Sequence, residues 1–365
     1  MNTNPFLLRR LFTTLPLRSR RFAQSNYQIV SRFIANMPAA PSRTSSKRKV
    51  ESDEDEPDHE ESSQNTKKPR KGKASLPAPT QPTNKVMPVN IVIPPKHEGT
   101  VRIVAWNICG FAASSKKGFS HYVEAEDADI LILTETKLQD PPANPSLTSR
   151  YPYQYWSAAA KKGYSGTAIL SKHKALSVDY TIPGHPNPES IKGRIVTLEF
   201  PTSYVVGTYV VNAGAGLKTM PEKQLWQTHF YAYLRELDKR KPVIWAGDFN
   251  VAPTQLDITN HSTNWNKSAG YTEIETSAYK NFLSNPGNAE ANKFSDLWRD
   301  LHPDTRAYSY FSYRFNCREK GIGWRLDGVV ASERLKERVK MCEIRDEIYG
   351  ASDHCPIVAE IEGPL

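Results

Sequence analysis

The chain has 365 residues and a hydrophobic fraction of 38%, an ordinary composition for a globular protein, and no apolar run approaches the roughly 18 residues that a membrane helix needs, which excludes a membrane span. Its formal net charge of +9 suggests a polyanionic partner. Cys109, Cys317, Cys342 and Cys355 have neither paired nor CxxC spacing, which argues against a disulfide framework or a zinc cluster and suits a reducing compartment.

The basic excess is N-terminal: residues 1–89 hold 16 Lys and Arg against 8 Asp and Glu, and the remainder 32 against 31. Met1 to Val50 carry ten basic and no acidic residues, with Phe6, Leu7, Leu8, Leu11 and Phe12 among Arg9, Arg10, Arg18, Arg20 and Arg21. A basic, acid-free segment with amphipathic potential reads as a mitochondrial presequence over residues 1–36. A disordered basic arm for nucleic acid is the other reading. Residues 37–98 read as a disordered charged and proline-rich tail. In it an acidic run, Glu51 to Glu61, precedes Lys67-Lys68-Pro69-Arg70-Lys71-Gly72-Lys73, which fits a nuclear import signal or a DNA-touching arm. Pro77, Pro79, Pro82, Pro88, Pro94 and Pro95 then make a linker that cannot hold a helix. Met37 separates the two addresses, so initiation there would drop the first and keep the second. Nucleus and mitochondrion are therefore the expected locations.

Residues 99–365 read as one catalytic domain. Short apolar runs predict strands at Val101–Trp106, Ile130–Thr134, Thr167–Ser171, Ile195–Phe200, Tyr204–Val210, Val243–Ala246, Arg325–Ala331 and Pro356–Ile361. Helices are predicted at Gly118–Ala125, Pro221–Lys239, Ser277–Leu283 and Ser332–Lys340. Pro221 suits a first helical turn, and Trp226, Phe230 and Leu234 follow at four-residue spacing on one face. The pattern predicts a layered α/β domain, two sheets packed face to face with helices outside.

Several polar residues stand at strand ends. Asp248 closes an apolar run, Gly247 frees the backbone to turn, and Asn250 follows two residues on. A carboxylate and an amide so placed can orient and deprotonate water, although Gly-Asp and Asn are also common turn residues. Glu135 follows the Ile130–Thr134 run, where a lone carboxylate suits Mg2+, or is a surface acid paired with Lys137. Asp327 and His354 form a third pair, since a carboxylate on one imidazole nitrogen fixes tautomer and orientation and leaves the other nitrogen for phosphate. Carboxylates, amides and one imidazole are the equipment of metal-assisted phosphodiester cleavage.

Together, Trp106-Asn107, Leu133-Thr134-Glu135-Thr136-Lys137, Gly163-Tyr164-Ser165-Gly166, Thr208-Tyr209-Val210-Val211-Asn212-Ala213-Gly214, Gly247-Asp248-Phe249-Asn250-Val251-Ala252, Gly323-Trp324-Arg325-Leu326-Asp327 and Ser352-Asp353-His354-Cys355-Pro356 resemble the exonuclease III class of apurinic/apyrimidinic endonucleases, within the endonuclease/exonuclease/phosphatase superfamily. The ordered motifs span about residues 100–362 and lean toward the animal-type branch. The resemblance implies a four-layered α/β sandwich of two packed mixed β-sheets flanked by helices. It implies hydrolysis of double-stranded DNA 5′ to an abasic site, leaving a 3′-hydroxyl and a 5′-deoxyribose phosphate, with 3′-end trimming beside it. By motif, Asp248 positions or activates water with Asn212 and Asn250, His354 supported by Asp327 contacts the scissile phosphate, and Tyr209 lies near it. Glu135 is the implied principal ligand of Mg2+, with Mn2+ as its substitute, and Asn107, Asp353, Asp248 and Asn250 lie around the ion. Tyr310, Trp324 and Leu326 would line a pocket for the extruded abasic sugar, with Lys137, Tyr164 and Arg314 as further substrate-binding candidates. A monomer is implied, with base-excision-repair proteins as partners. Competing expectations are another phosphodiesterase of the superfamily, such as a phosphotyrosyl-DNA phosphodiesterase, an inositol phosphatase or a deadenylase, and a non-catalytic interaction protein on the same scaffold.

Three positions depart from the pattern. Cys109 stands where relatives carry an oxygen donor near the metal, Ala215 where close animal relatives insert an arginine into DNA, and Arg314 where they have methionine. Thiol sulfur suits Mg2+ poorly, so one reading of Cys109 is weakened Mg2+ affinity and the other a small buried residue at a strand end. On the first reading Cys109→Asp should lower the Mg2+ concentration needed for half-maximal incision; an unchanged Mg2+ dependence sinks it. A tagged form beginning at Met37 should appear in the nucleus, and its confinement to mitochondria would overturn the dual-address reading.

Overall fold

The computed structural model of the chain describes residues 86–287 and 293–365. The presequence-like stretch, Met37, the acidic run, the basic cluster and Pro77, Pro79 and Pro82 lie outside the described residues. Strands β1 Thr100–Asn107, β2 Ile130–Thr134, β3 Tyr153–Ser157, β4 Thr167–Ser171, β11 Val339–Ile344 and β12 Ile357–Glu362 form one sheet, ordered β11-β12-β1-β2-β4-β3. The second comprises β5 Ser177–Asp179, β6 Ile195–Glu199, β7 Tyr204–Tyr209, β8 Val243–Asp248, β9 Phe294–Asp296 and β10 Asp327–Ser332, ordered β5-β6-β7-β8-β10-β9. Each sheet has one parallel pair near its centre, β1/β2 and β7/β8, and is otherwise antiparallel.

Fully buried strands such as β2 carry apolar side chains on both faces, and each face meets a different layer. Alternate residues Ile103, Ala105, Ile130, Ile132 and Ile169 of the first sheet interdigitate with Val196, Leu198, Val205, Ile244, Ala246 and Val329 of the second. The opposite face of the second sheet, with Val206 and Trp245, is covered by Trp226, Phe230 and Leu234 of α4 (Met220–Asp238) and Tyr279 and Phe282 of α6 (Glu273–Ser284). On the first sheet, Val104, Trp106, Leu131 and Leu133 meet Phe111 of α1 (Phe111–Ser115), Phe119, Tyr122 and Val123 of α2 (Phe119–Glu126) and Leu147 of α3 (Pro145–Arg150). Two further short helices, α5 (His261–Asn264) and α7 (Leu297–Leu301), complete the α-helices among the described residues. Helix, sheet, sheet and helix are the four layers that the sequence motifs implied. Residues 86–98 form neither helix nor strand, yet Met87, Ile91 and Ile93 pack on the first sheet's helix layer and Lys96 pairs with Asp129 at 2.6 Å.

Local differences from the predicted elements have identifiable causes. Ser332–Lys340 is not an α-helix: Glu333–Arg338 is a 3-10 segment burying only Leu335, and Val339 begins β11. The open edge of β12 accepts Val339, Met341, Cys342 and Ile344 as strand partners, which outweighs the helical preference of the preceding charged residues. Helix α6 starts four residues earlier than predicted because the Thr272 hydroxyl accepts the Glu275 N–H and caps it.

The two sheets approach closely at Gly207 of β7. A Cβ there would stand 2.7 Å from Ile132 Cγ2 and 3.2 Å from Ile169 Cδ1. Gly207→Ala is therefore expected to overpack the core and destabilise the fold by about 1–3 kcal/mol, read as a lowered midpoint in denaturant melts.

Candidate active site

Strand ends build the site. Asn107 closes β1, Glu135 follows β2, Tyr209 closes β7, Asp248 closes β8 and Asp327 opens β10. The register sets Tyr209 and Asp327 on either side of Asp248. His354 precedes β12 and bridges Tyr310, which in turn bridges Trp324. Residues far apart in sequence thus share one rim of the sandwich.

Loop chemistry fixes each group. Glu135 and Lys137 adopt left-handed backbone, φ 50° and 56°. They are held there because Thr136 N and Lys137 N donate to Gly166 O and Ser165 O at 3.0 and 2.8 Å. A Cβ on Gly166 would lie 2.3 Å from Thr136 Oγ1, so the Gly-Tyr-Ser-Gly loop needs glycine at that contact. The Ser352 hydroxyl donates to Asn107 O at 2.6 Å and accepts the His354 N–H at 3.1 Å, while Trp106 Nε1 donates to His354 O at 2.9 Å. These bonds lock the Ser-Asp-His segment onto the end of β1. In the Trp-Arg-Leu-Asp segment, Arg325 turns inward to Asp257 at 2.6 Å and Asp296 at 2.9 Å, leaving Trp324 and Leu326 at the cavity.

The polar groups form one network. Asn107 Nδ2 donates to Glu135 Oε1 and to Asp248 Oδ2, each at 2.9 Å, while Asn107 Oδ1 accepts the Cys109 N–H at 3.0 Å. Asn107 thus joins the two carboxylates as a donor. Asp248 Oδ1 accepts the Asn250 N–H, and Asn250 Oδ1 accepts from Asn212 Nδ2, both at 2.9 Å. His354 Nδ1 lies 2.7 Å from Asp327 Oδ2, which also accepts the Ser309 hydroxyl at 2.7 Å. That arrangement leaves Nε2 of the ring for a ligand. Lys137 Nζ stands 3.4 Å from Glu135 Oε2, so the ion pair expected of a simple surface acid exists alongside the Asn107 bond.

Burial and the adjacent Asp327 push the Asp248 carboxyl up to about 7, against the opposing effects of His354 and the Asn107 and Asn250 bonds. Burial alone would depress the His354 ring, but Asp327 on Nδ1, aided by Asp248 and Asp353, raises it to about 10. Burial, then Glu135 and Asp248, hold the Tyr209 phenol well above its ordinary range. At neutral pH the site therefore presents an imidazolium and a neutral phenol beside crowded carboxyls.

A cavity of about 500 Å³ opens over this network. Glu135, Lys137, Tyr164, Tyr209, Asn212, Asp248, Asn250, Tyr310, Arg314, Trp324, Leu326, Asp353 and His354 all border it, while Asn107 and Asp327 lie buried behind it. The structure thus brings together every site residue expected from the sequence. Tyr310, Trp324 and Leu326 join Ala252, Ile258 and Tyr271 in a small apolar cluster at one end. Ala215 and the exposed Arg314 stand at the rim, and Cys109, partly buried with φ 48°, borders the cavity beyond the end of β1.

A divalent cation fits the donor set. Glu135, Asp248 and Asp353 offer carboxyl oxygens to one cavity, and burial beside Asp327 drives the Asp248 carboxyl toward its neutral form, a cost that a cation would relieve. Carboxylate oxygens suit hard ions. Ligand atoms of Asp248, Asp327 and His354 also lie within 4.8 Å of one another. His354 Nδ1 is committed to Asp327, however, so that trio is a histidine–carboxylate pair beside Asp248, and the cation is better served by Glu135 and Asp353.

Three features escaped the sequence reading. Ser309, fully buried, donates to Asp327 and accepts the Asp327 N–H at 3.0 Å. Lys223 and Glu275, both fully buried, form a 2.5 Å ion pair, and Lys223 Nζ also donates to Asn250 O; a lysine on the Trp226 face of α4 was the available signal. Arg194 lies between Tyr164 and Tyr209, and nothing in Gly193-Arg194 before an apolar run marks it.

Residues 104–354 match the endonuclease/exonuclease/phosphatase family. The chain belongs to that family. Its place within it is among the exonuclease III-type apurinic/apyrimidinic endonucleases. It is 40% identical over 259 residues to an exodeoxyribonuclease of Bacillus subtilis, covering 70% of this chain and 98% of the relative. A DNA-(apurinic or apyrimidinic site) endonuclease of Dictyostelium discoideum is 38% identical over 276 residues, covering 73% of this chain and 72% of the relative. Among solved structures, the AP endonuclease of Leishmania major superposes with a TM-score of 0.61 at 28% identity, covering 73% of this chain and 88% of that one. The family's two-sheet architecture is the one described above.

A carboxyl raised from 3.8 to about 7 by folding binds its proton more tightly in the native than in the unfolded chain. Its contribution to stability is present below pH ~4 and lost as pH rises through ~7. In chelator, Asp248→Asn is therefore expected to melt at least about 3 °C above the wild type at pH 8 and to lose most of that advantage at pH 4.5. Calorimetric scans at the two pH values check this.

Proposed function

We propose that the chain is a DNA-repair nuclease that hydrolyses the phosphodiester 5′ to an abasic site in double-stranded DNA, leaving a 3′-hydroxyl and a 5′-deoxyribose phosphate, with 3′-end trimming as a secondary activity. One observation carries the reading: the Asp248, His354–Asp327 and Glu135 network and the Tyr310, Trp324 and Leu326 cluster open into a single cavity. A sugar without a base costs less to extrude than an intact nucleotide, and a small apolar pocket rejects a nucleotide that still carries its base.

In this reading Asp248, ionised, orients a water and takes its proton, while Asn212 and Asn250 hold the Asp248 loop in place. The water oxygen bonds to phosphorus as the bond from phosphorus to the 3′-oxygen breaks; the departing 3′-oxygen takes up a proton from solvent water, and Asp248 returns the one it accepted to solvent after the products form. His354, cationic through Asp327, donates from Nε2 to a non-bridging phosphate oxygen, and the neutral Tyr209 hydroxyl donates beside it. Mg2+, held by Glu135 and Asp353 with Mn2+ as its substitute, would supply charge neutralisation at the departing oxygen and favour the ionised form of Asp248.

The test is incision of a duplex bearing one synthetic abasic analogue. Wild-type protein should nick the strand 5′ to the lesion with Mg2+ and lose the activity in chelator. Asp248→Asn should reduce the rate by about 10²–10⁴-fold, and Glu135→Gln should raise the Mg2+ concentration required by roughly tenfold. Absence of a chelator-sensitive nick by the wild type overturns the proposal.

A further inference from the structure

Lys223 of α4 and Glu275 of α6 form an ion pair whose side chains are both 0% exposed. Removing two charges from water is unfavourable, and such a pair persists where further hydrogen bonds compensate it. Lys223 Nζ stands 2.5 Å from Glu275 Oε1 and donates to Asn250 O, also at 2.5 Å. The Gly270 N–H lies 2.9 Å from each Glu275 oxygen, and the Thr272 hydroxyl donates to Oε2 at 2.8 Å. Gly270 O in turn accepts the Ala252 N–H at 2.8 Å. The pair therefore closes a ring that joins the Asn250–Ala252 loop to the turn before α6. Asn250 and Gly270 border the cavity, whereas Lys223 and Glu275 do not.

Asn250 is the strained member of that ring. Its φ of 49° is left-handed, a conformation that a residue with a Cβ keeps when its surroundings enforce it. The Asn250 N–H donates to Asp248 Oδ1, its side-chain Nδ2 donates to Val210 O, and its Oδ1 accepts from Asn212, each at 2.9 Å. Lys223 takes the carbonyl, the last of its polar groups. Asp248 Oδ2 is held separately by Asn107 at 2.9 Å. The plane of the Asp248 carboxylate is thus fixed at two points, and one of them is the Asn250 N–H. Without a donor for its buried carbonyl, Asn250 is free to leave the left-handed conformation; its N–H then turns, and the carboxylate pivots about the Asn107 bond.

We infer that Lys223, with Glu275 as its counter-ion, is a positioning residue of the reaction: by fixing the Asn250 carbonyl from behind, it holds the Asp248 carboxylate at the angle that aims the attacking water. Lys223 itself touches neither water nor DNA. The inference rests on the nuclease reading above and assigns to it a support that none of the motif residues supplies. Misplacement of a reacting group by about 1 Å lowers a rate by roughly 10²-fold, so a displaced carboxylate shows in the chemical step rather than in DNA affinity.

The experiment uses the full chain and a duplex bearing one synthetic abasic analogue. Affinity is measured in chelator and the single-turnover incision rate in Mg2+, both well below each variant's melting midpoint. Lys223→Met combined with Glu275→Gln removes both charges together and leaves an acceptor for the Gly270 N–H. Its rate should fall about 10- to 100-fold while its affinity stays within about twofold of the wild type's. Lys223→Arg, which keeps a donor for Asn250 O, should stay within about threefold of the wild-type rate. If the double variant does not fold, Lys223→Gln in the Glu275→Gln background, which pairs with residue 275 but ends short of Asn250, takes its place with the same expectations. A merely structural pair would lower the melting midpoint and leave the rate at the wild-type value, or lower rate and affinity together. Either result overturns the inference, as does a loss in Lys223→Arg as large as the double variant's. Failure of the wild type to incise the duplex in Mg2+ instead removes the nuclease reading.

Discussion

Two buried carboxylates, Asp248 and Asp327, face each other across the β8–β10 ladder. Like charges at such a spacing cannot both remain ionised in a dry site without compensation. The surroundings are arranged to supply it. His354 neutralises Asp327 from one side, Ser309 anchors the same carboxylate from below, and Asn107 spans from Asp248 to Glu135. Each compensating group needs its own support, so Ser352 and Trp106 fasten the His354 segment to β1 and the Gly163–Gly166 loop fastens the Glu135 turn. Much of the rim is thus accounted for by the problem of keeping two acids together.

How far this could be read from sequence depended on how local the cause was. Strands such as Ile130–Thr134 announce themselves because both faces are buried, and α4 does so because its apolar residues recur every four positions. Edge elements are different. Ser177–Asp179 is mostly exposed, and Val339–Ile344 mixes apolar and polar residues without strict alternation after a charged 3-10 stretch, so both exist through the neighbours they pair with.

The same distinction runs through the site. Asp248, Glu135 and His354 stand beside turn-forming glycines or at the ends of apolar runs, and their chemistry is legible there. Ser309, Arg194 and the Lys223–Glu275 pair act through contacts to residues 15 or more positions away, and single residues of those types carry no mark of it. The resemblance to a family contributed most where residue roles were concerned; the geometry contributed the partners that hold those residues in place.

The two parallel strand pairs divide the labour. β1 and β2 deliver Asn107 and Glu135 from one sheet, while β7 and β8 deliver Tyr209 and Asp248 from the other. The gap between the Glu135 side and the Asp248 side is therefore a thickness, set by how deeply Ile132 and Ile169 settle against Gly207 and Val205 beneath the rim. Core side chains act here as spacers for the polar rim above them. Evolution in this fold can tune the reach between the two halves of the site without altering a single polar residue, simply by exchanging one aliphatic side chain for another a layer below.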